Sequence, residues 1–135
     1  SWIIREKLER CLSVIDNLQP ELPVIEERTR QKLERRIAGI QNEVEPERIA
    51  QEVALLLVKN DVTEELDRLK SHLGESISLL NDGGPVGRRL DFLMQELNRE
   101  ANTLGAKSVS SAMTRASIDL KMLIEQSREQ VQNLE

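Results

Sequence analysis

The stretch "NDGGPVGRRLDFLMQELNREANTLG", Asn81 to Gly105, decides how this chain folds. It opens on an Asn-Asp-Gly-Gly-Pro cluster, which cannot continue a helix and supplies what a tight bend needs. After the bend, apolar residues recur every three or four positions: Leu90, Leu93, Met94, Leu97, Ala101 and Leu104. That period is the inward stripe of one amphipathic helix. Pro85 suits its first turn, and Gly105 is expected to end it. Before the bend, Val62, Leu66, Leu69, Leu73, Ile77 and Leu80 form an equivalent stripe. Asp61 reads as its N-cap, and Glu64 three residues later completes a capping box. Helices joined by so short a connection pack as antiparallel neighbours.

The same period extends in both directions. Ile4, Leu8, Cys11, Ile15 and Leu18 mark a first helix, interrupted by Pro20 and Pro23. A second runs from about residue 22 to 40 with Leu22, Ile25, Leu33, Ile37 and Ile40 inward. Its other side carries "RTRQKLERR", the most basic window of the chain, which reads more readily as a solvated face than as a phosphate-binding strip. A third starts at Pro46 with Ile49, Val53, Leu56 and Leu57 as its stripe. It is short and strongly apolar, so deep burial is expected. The last helix starts near Ser108, Ser110 and Ser111, which are suited to capping. Met113, Ala116, Leu120, Leu123, Ser127, Val131 and Leu134 then step to the C-terminus as a packed or coiled-coil seam. No strand pattern competes, so the chain reads as an all-α, multi-helix bundle with antiparallel hairpins and a long C-terminal helix.

Composition agrees and narrows the function. Of 135 residues, 39% are hydrophobic and 32% charged, while Trp2 and Phe92 are the only aromatics. A strand-rich protein would draw more heavily on aromatic and β-branched residues. The length allows one modest domain with a real core. No apolar run is long enough to span a bilayer, and no membrane partner is expected. Cys11, the single cysteine, cannot form an internal disulfide; its place in the first stripe makes it a buried, inert thiol, which fits a reducing cytoplasm. Net charge is −5, so a polyanion would have to be held by a local patch or by cations from elsewhere. The chain opens at Ser1 without an initiator Met, and an upstream domain is expected.

The hairpin carries the candidate chemistry. Antiparallel pairing about the bend sets His72 level with Gln95 and Glu96, Arg68 level with Arg99 and Glu100, and Glu65 near Asn102. Glu65, Arg68 and His72 step by three and four, beside the apolar stripe. Glu96, Arg99 and Glu100 share one surface of the facing helix. Two polar stripes at matching heights can converge on a common groove. Carboxylates with a histidine can hold a hard divalent ion such as Mg2+ or Mn2+. A metal or histidine can activate water or a ribose hydroxyl, and arginines can clamp a phosphodiester. On spacing alone, ordinary surface ion pairs, worth roughly 0.2–0.5 kcal/mol each, and a packed histidine are the stronger reading. Gln95 and Asn102, poor choices for a plain helix surface, argue for specific hydrogen bonds.

The segments "EELDRLKSHL", "GRRLDFLMQELNREANTLGAKS" and "DLKMLIEQSREQVQNLE" resemble the C-terminal part of the YicC/YloC family of bacterial proteins. The resemblance covers at least Gln51 to Glu135, and the first 50 residues are compatible with the helical segment before it. It implies a helical C-terminal domain over 1–135, with leading helices in 1–60 and motif-bearing helices in 61–135, preceded by an N-terminal domain. It further implies a stress-associated, cytoplasmic endoribonuclease that forms a homo-oligomer, hexameric in the family, and uses a divalent metal, Mn2+ ahead of Mg2+. RNA is the expected partner, and DNA is not. Placed on the family's motif positions by physical role, the catalytic candidates are His72, Glu96 and Glu100, with His72 as acid–base. The metal-ligand candidates are Glu65, Glu96 and Glu100. The RNA-contact candidates are Arg68, Arg88, Arg89, Arg99, Gln95, Asn102 and Lys107. Asp91 and Lys107 serve equally well as helix-end pairs, and Phe92 is expected to be exposed, as an oligomer contact. The alternative is a helical oligomerisation or RNA-binding module that needs the N-terminal domain for catalysis.

Overall fold

Local periodicity makes the helices, and the way their stripes meet makes the bundle. A computed structural model describes residues 2–40 and 45–134. Helix α1 spans Trp2–Leu18, α2 Leu22–Ile40, α3 Pro46–Lys59, α4 Thr63–Asp82, α5 Gly87–Ala106 and α6 Ser111–Gln132, with a 3-10 turn at Gln19–Glu21. The described residues contain no strand. Pro20 and Pro23 therefore reshape the chain without stopping it: one tight turn separates α1 from α2.

Helices α1, α4, α5 and α6 form a four-helix bundle in which α1 and α5 each pack on both α4 and α6. Every residue of the expected α1 stripe is buried, as is every one of the α5 stripe. Full burial of such side chains contributes roughly 1.5–3 kcal/mol each. The α4 stripe is buried from Val62 to Leu73, with Ile77 and Leu80 packed partly against the core. Burial pushes the Cys11 thiol up to about 12, so it stays neutral and inert. The leading segment up to residue 60 is thus not a packing unit: α1 belongs to the bundle with the motif-bearing helices, while α2 and α3 pack chiefly on each other.

That arrangement overturns the expectation of a deeply buried α3. Only Val53 is buried, while Leu55 is 64% and Val58 73% exposed. A helix whose neighbour is a single other helix can cover one stripe, and α3 carries apolar residues on more than one. Ile25 reaches the bundle core and Leu22 packs partly on it, whereas Leu33 and Ile37 are only half-buried. The expected inward position of Ile40 lies outside the described side chains.

The α4–α5 turn is built as its sequence demands. Gly83 and Gly84 take φ of 75° and 83°, a region that a Cβ disfavours. Gly105, in contrast, does not end α5, which continues to Ala106. It is a crossing point: a Cβ there would lie 2.5 Å from Ser117 Oγ on α6. The Ser117 hydroxyl donates to the Ala101 carbonyl at 3.0 Å, tying the two helices at this close approach. Along α6, Met113, Ala116, Leu120, Leu123, Ser127 and Val131 are buried against the protein's own bundle, and Leu134 is exposed. Ser110 is the N-cap, accepting from the Met113 amide at 3.1 Å.

At the start of α4, Val62 and not Asp61 holds the N-cap position; Asp61, one residue earlier, forms an Asx turn onto Thr63 without the expected capping box. Its Oδ1 accepts from the Thr63 hydroxyl at 2.7 Å and the Thr63 amide at 2.9 Å, while Glu64 turns to Arg68. Those bonds hold the Asp61 carboxyl below its usual range. Asp61→Ala is expected to cost about 1 kcal/mol at neutral pH. Because the folded-state pKa is depressed, the contribution is present above about pH 4 and is lost as pH falls through the lowered value. Urea midpoints of wild type and variant should therefore differ at pH 7 and draw together as pH falls below about 4.

Candidate functional site

The antiparallel register of α4 and α5 follows from the short turn, and side-chain pairs between the helices fix it. Arg89 Nη2 donates to both carboxylate oxygens of Glu75, at 2.8 and 3.1 Å. Two to three turns on, Arg68 Nε donates to Glu100 Oε1 at 2.9 Å, as the expected heights require. These two pairs bracket His72 and set it at the height of Gln95 and Glu96.

The tightest part of the face is a carboxylate–cation network. Glu65 is 3% and Glu100 6% exposed, although the sequence marked neither as buried. Lys107 Nζ donates to Glu65 Oε2 at 2.8 Å and to the Asp61 carbonyl at 3.2 Å. Arg68 lies 3.9 Å from Glu65 Oε2 and 3.5 Å from Glu64. The bond to Glu100, ahead of its other charged neighbours, pushes the Arg68 pKa up and keeps the guanidinium charged. Three carboxylates, Glu64, Glu65 and Glu100, thus face two cations, Arg68 and Lys107. Glu65 Oε1 is buried and has no hydrogen-bond partner among the described residues. Such an atom is rare, because leaving it unpaired costs about 1–3 kcal/mol.

The remaining candidates are dispersed around this network. Glu96 lies 3.8 Å from Arg99 on its own helix. Gln95 donates to Asp91 Oδ2 at 3.0 Å, and Arg128 of α6 donates to Asp91 Oδ1 at 3.4 Å. Asp91 and Lys107 are therefore pairing residues near the helix ends. Arg89 sits 5.2 Å from the centroid of the exposed Phe92 ring. Arg88 and Asn102 are exposed, and His72 is half-buried; none of the three side chains makes a hydrogen bond with any described residue. The expected neighbour of Glu65, Asn102, is replaced by Lys107, whose long side chain reaches back from the end of α5. Asp61 and Glu75 were missed as partners, yet both signals were legible: Asp61 lies one turn before Glu65, and Glu75 shares the height of Arg89.

The three expected metal ligands are each drawn to a cation of the same chain. Among the described residues no three His, Cys, Asp or Glu side chains gather to hold an ion. Glu65 and Glu100 are engaged by Lys107 and Arg68, and Glu96 faces Arg99, so these three carboxylates do not fit a common cation.

Comparison with known proteins gives the face its context. The family described as endoribonuclease YicC-like, C-terminal, matches residues 18–135. A Haemophilus influenzae protein named probable endoribonuclease YicC is 45% identical over 133 residues, 98% of this chain and 46% of the relative. A Clostridioides difficile protein of the same name is 37% identical over 124 residues, 90% of this chain and 42% of the relative. The chain spans less than half the length of these curated relatives. By the extent of these matches, the chain belongs to the endoribonuclease YicC-like C-terminal family.

Proposed function

We propose that this chain is the C-terminal helical part of an enzyme that cleaves RNA internally at phosphodiester bonds, acting as a homo-oligomer in the cytoplasm. The match to the YicC-like family over residues 18–135 carries the reading. The α4–α5 face supports it by its construction. Arg68 and Glu100 lock the register, and by that register His72, whose ring bonds no described residue, falls at the height of Glu96. In this reading His72 exchanges the proton of the attacking or leaving oxygen, and Glu96 orients or assists it. Glu100 and Lys107 take positioning roles, because both are bound within the network. Arg88, Arg99 and Asn102 offer exposed polar groups to RNA, while Arg68 and Arg89 are held by carboxylates. A divalent cation, Mn2+ or Mg2+, belongs to the proposal through the family resemblance; the described residues of one chain gather no ligand set for it. No described helix is long and apolar enough to cross a membrane.

A second reading has its own support: the chain is an assembly or RNA-binding module for a larger enzyme. Exposed Trp2, Leu55, Val58, Phe92 and Ile118 leave apolar surface for another copy, and the relatives are more than twice as long. One experiment addresses both readings. The full-length protein and residues 1–135 are incubated with a labelled RNA, with Mn2+ and with EDTA. Cleavage by the full-length protein that EDTA abolishes, with the helical circular dichroism signal unchanged, is the expected result. EDTA-resistant cleavage removes the metal from the proposal, and absence of cleavage under all conditions removes the ribonuclease. Cleavage confined to the full-length protein assigns 1–135 to assembly or binding.

A further inference from the structure

The observation with most consequence outside the α4–α5 face is the basic side of α2. We propose that Arg28, Lys32, Arg35 and Arg36 form the strip that grips the phosphodiester backbone of RNA. The inference rests on the ribonuclease reading and names the surface that takes its substrate.

Helical geometry places these four residues within a sector of about 100°. The acids of the same helix, Glu26, Glu27 and Glu34, fall on the other side, where Glu27 lies 3.8 Å from Arg30. All four basic side chains are exposed, and among the described residues none has a carboxylate partner. Arg35 Nε donates only to the Gln31 carbonyl, at 3.3 Å, which leaves its charge unopposed. The contrast with the hairpin is direct. Arg68 and Arg89 each bond a carboxylate, at 2.9 and 2.8 Å. In a chain of net charge −5, unopposed cations on one stripe create a local field that attracts a polyanion the rest of the surface repels.

Placement adds to charge. Helix α2 packs chiefly on α3 and the preceding 3-10 turn, and beyond Ile25, which reaches the bundle core, the four basic side chains stay exposed. Four residues of helix rise about 6 Å. Arg28, Lys32 and Arg36 therefore present charge at intervals comparable to successive phosphates of an extended strand. The stripe holds no aromatic residue to stack on a base, so the contact is with the backbone and independent of sequence.

The test uses the full-length protein with the triple substitution Arg28→Gln, Lys32→Gln and Arg36→Gln, which removes charge and keeps helix propensity. Binding of fluorescein-labelled single-stranded RNA is followed by anisotropy from about 50 to 200 mM salt. The expected result is an affinity loss of about tenfold or more. The dependence of log affinity on log salt should become shallower by about 2, from three lost contacts at about 0.7 each. KM for RNA cleavage rises while kcat is retained, and Arg28→Lys with Arg36→Lys keeps wild-type affinity. An unchanged affinity and salt slope in the triple variant, with wild type binding RNA normally, overturns this proposal alone. So does an altered sedimentation coefficient with RNA affinity intact, which would assign the stripe to an acidic surface of another protein. Wild-type protein that neither binds nor cleaves RNA overturns the ribonuclease reading together with this one.

Discussion

Lys107→Met lowers the stability of the fold by about 3 kcal/mol, read as a fall in the urea midpoint. The size follows from what the substitution leaves behind. Glu65 is almost fully buried, and Lys107 is its closest cation, at 2.8 Å. Glu65 Oε1 has no hydrogen-bond partner among the described residues, so removing Lys107 leaves Arg68, 3.9 Å from Oε2, as the nearest compensation. A buried carboxylate without a close cation is among the few single defects that cost this much. The Asp61 carbonyl also loses its donor, at the entrance to α4. The double variant Glu65→Leu with Lys107→Met should recover most of the loss, because replacing a buried pair with apolar groups removes the desolvation cost along with the attraction. A double variant as unstable as the single one would mean that the pair contributes through packing. A single variant within about 0.5 kcal/mol of wild type would mean that Glu65 is hydrated in the folded state.

His72→Ala and Glu96→Gln each reduce RNA cleavage by the full-length protein about 10²–10⁴-fold, with kcat falling and KM nearly unchanged. Both substitutions separate chemistry from folding. The His72 ring makes no hydrogen bond with a described residue, so truncation leaves no orphaned partner. Glu96 is half-buried, and its one ion pair among the described residues is the loose 3.8 Å contact with the exposed Arg99, so the isosteric Gln keeps its packing and loses little. Urea midpoints of both variants should therefore stay close to wild type. Wild-type cleavage by both would remove His72 and Glu96 from the reaction and leave the α4–α5 face as a structural element. Loss of cleavage accompanied by a large fall in stability would point the same way.

Local patterns were read accurately wherever a helix is packed as its own stripe dictates. The α1 and α5 stripes are buried without exception, because three- and four-residue periodicity is a property of the helix itself. The height of Arg68 against Glu100 was legible too, since a short turn leaves an antiparallel pair little freedom of register. Expectations failed where the answer depends on which helices become neighbours. Helix α3 has the composition of a core helix, yet it has one close neighbour and leaves Leu55 and Val58 in solvent. Gly105 has the look of a terminator, yet it lies inside α5 because α6 crosses there.

The site divides in the same way. The sequence by itself determined six amphipathic helices, the hairpin about Gly83 and Gly84, the polar residues that line it, and the segregation of charge along α2. Tertiary structure decided which of those polar groups are spent on each other. Glu65 and Glu100 look like free ligands until α5 closes over α4 and brings Lys107 and Arg68 onto them. Arg28, Arg35 and Arg36 of α2 have no carboxylate partner among the described residues. The physical reason is one of range. Periodicity is set by neighbours three or four residues away, whereas the neutralisation of a charge is set by whatever the fold brings within about 4 Å of it, which local sequence does not specify.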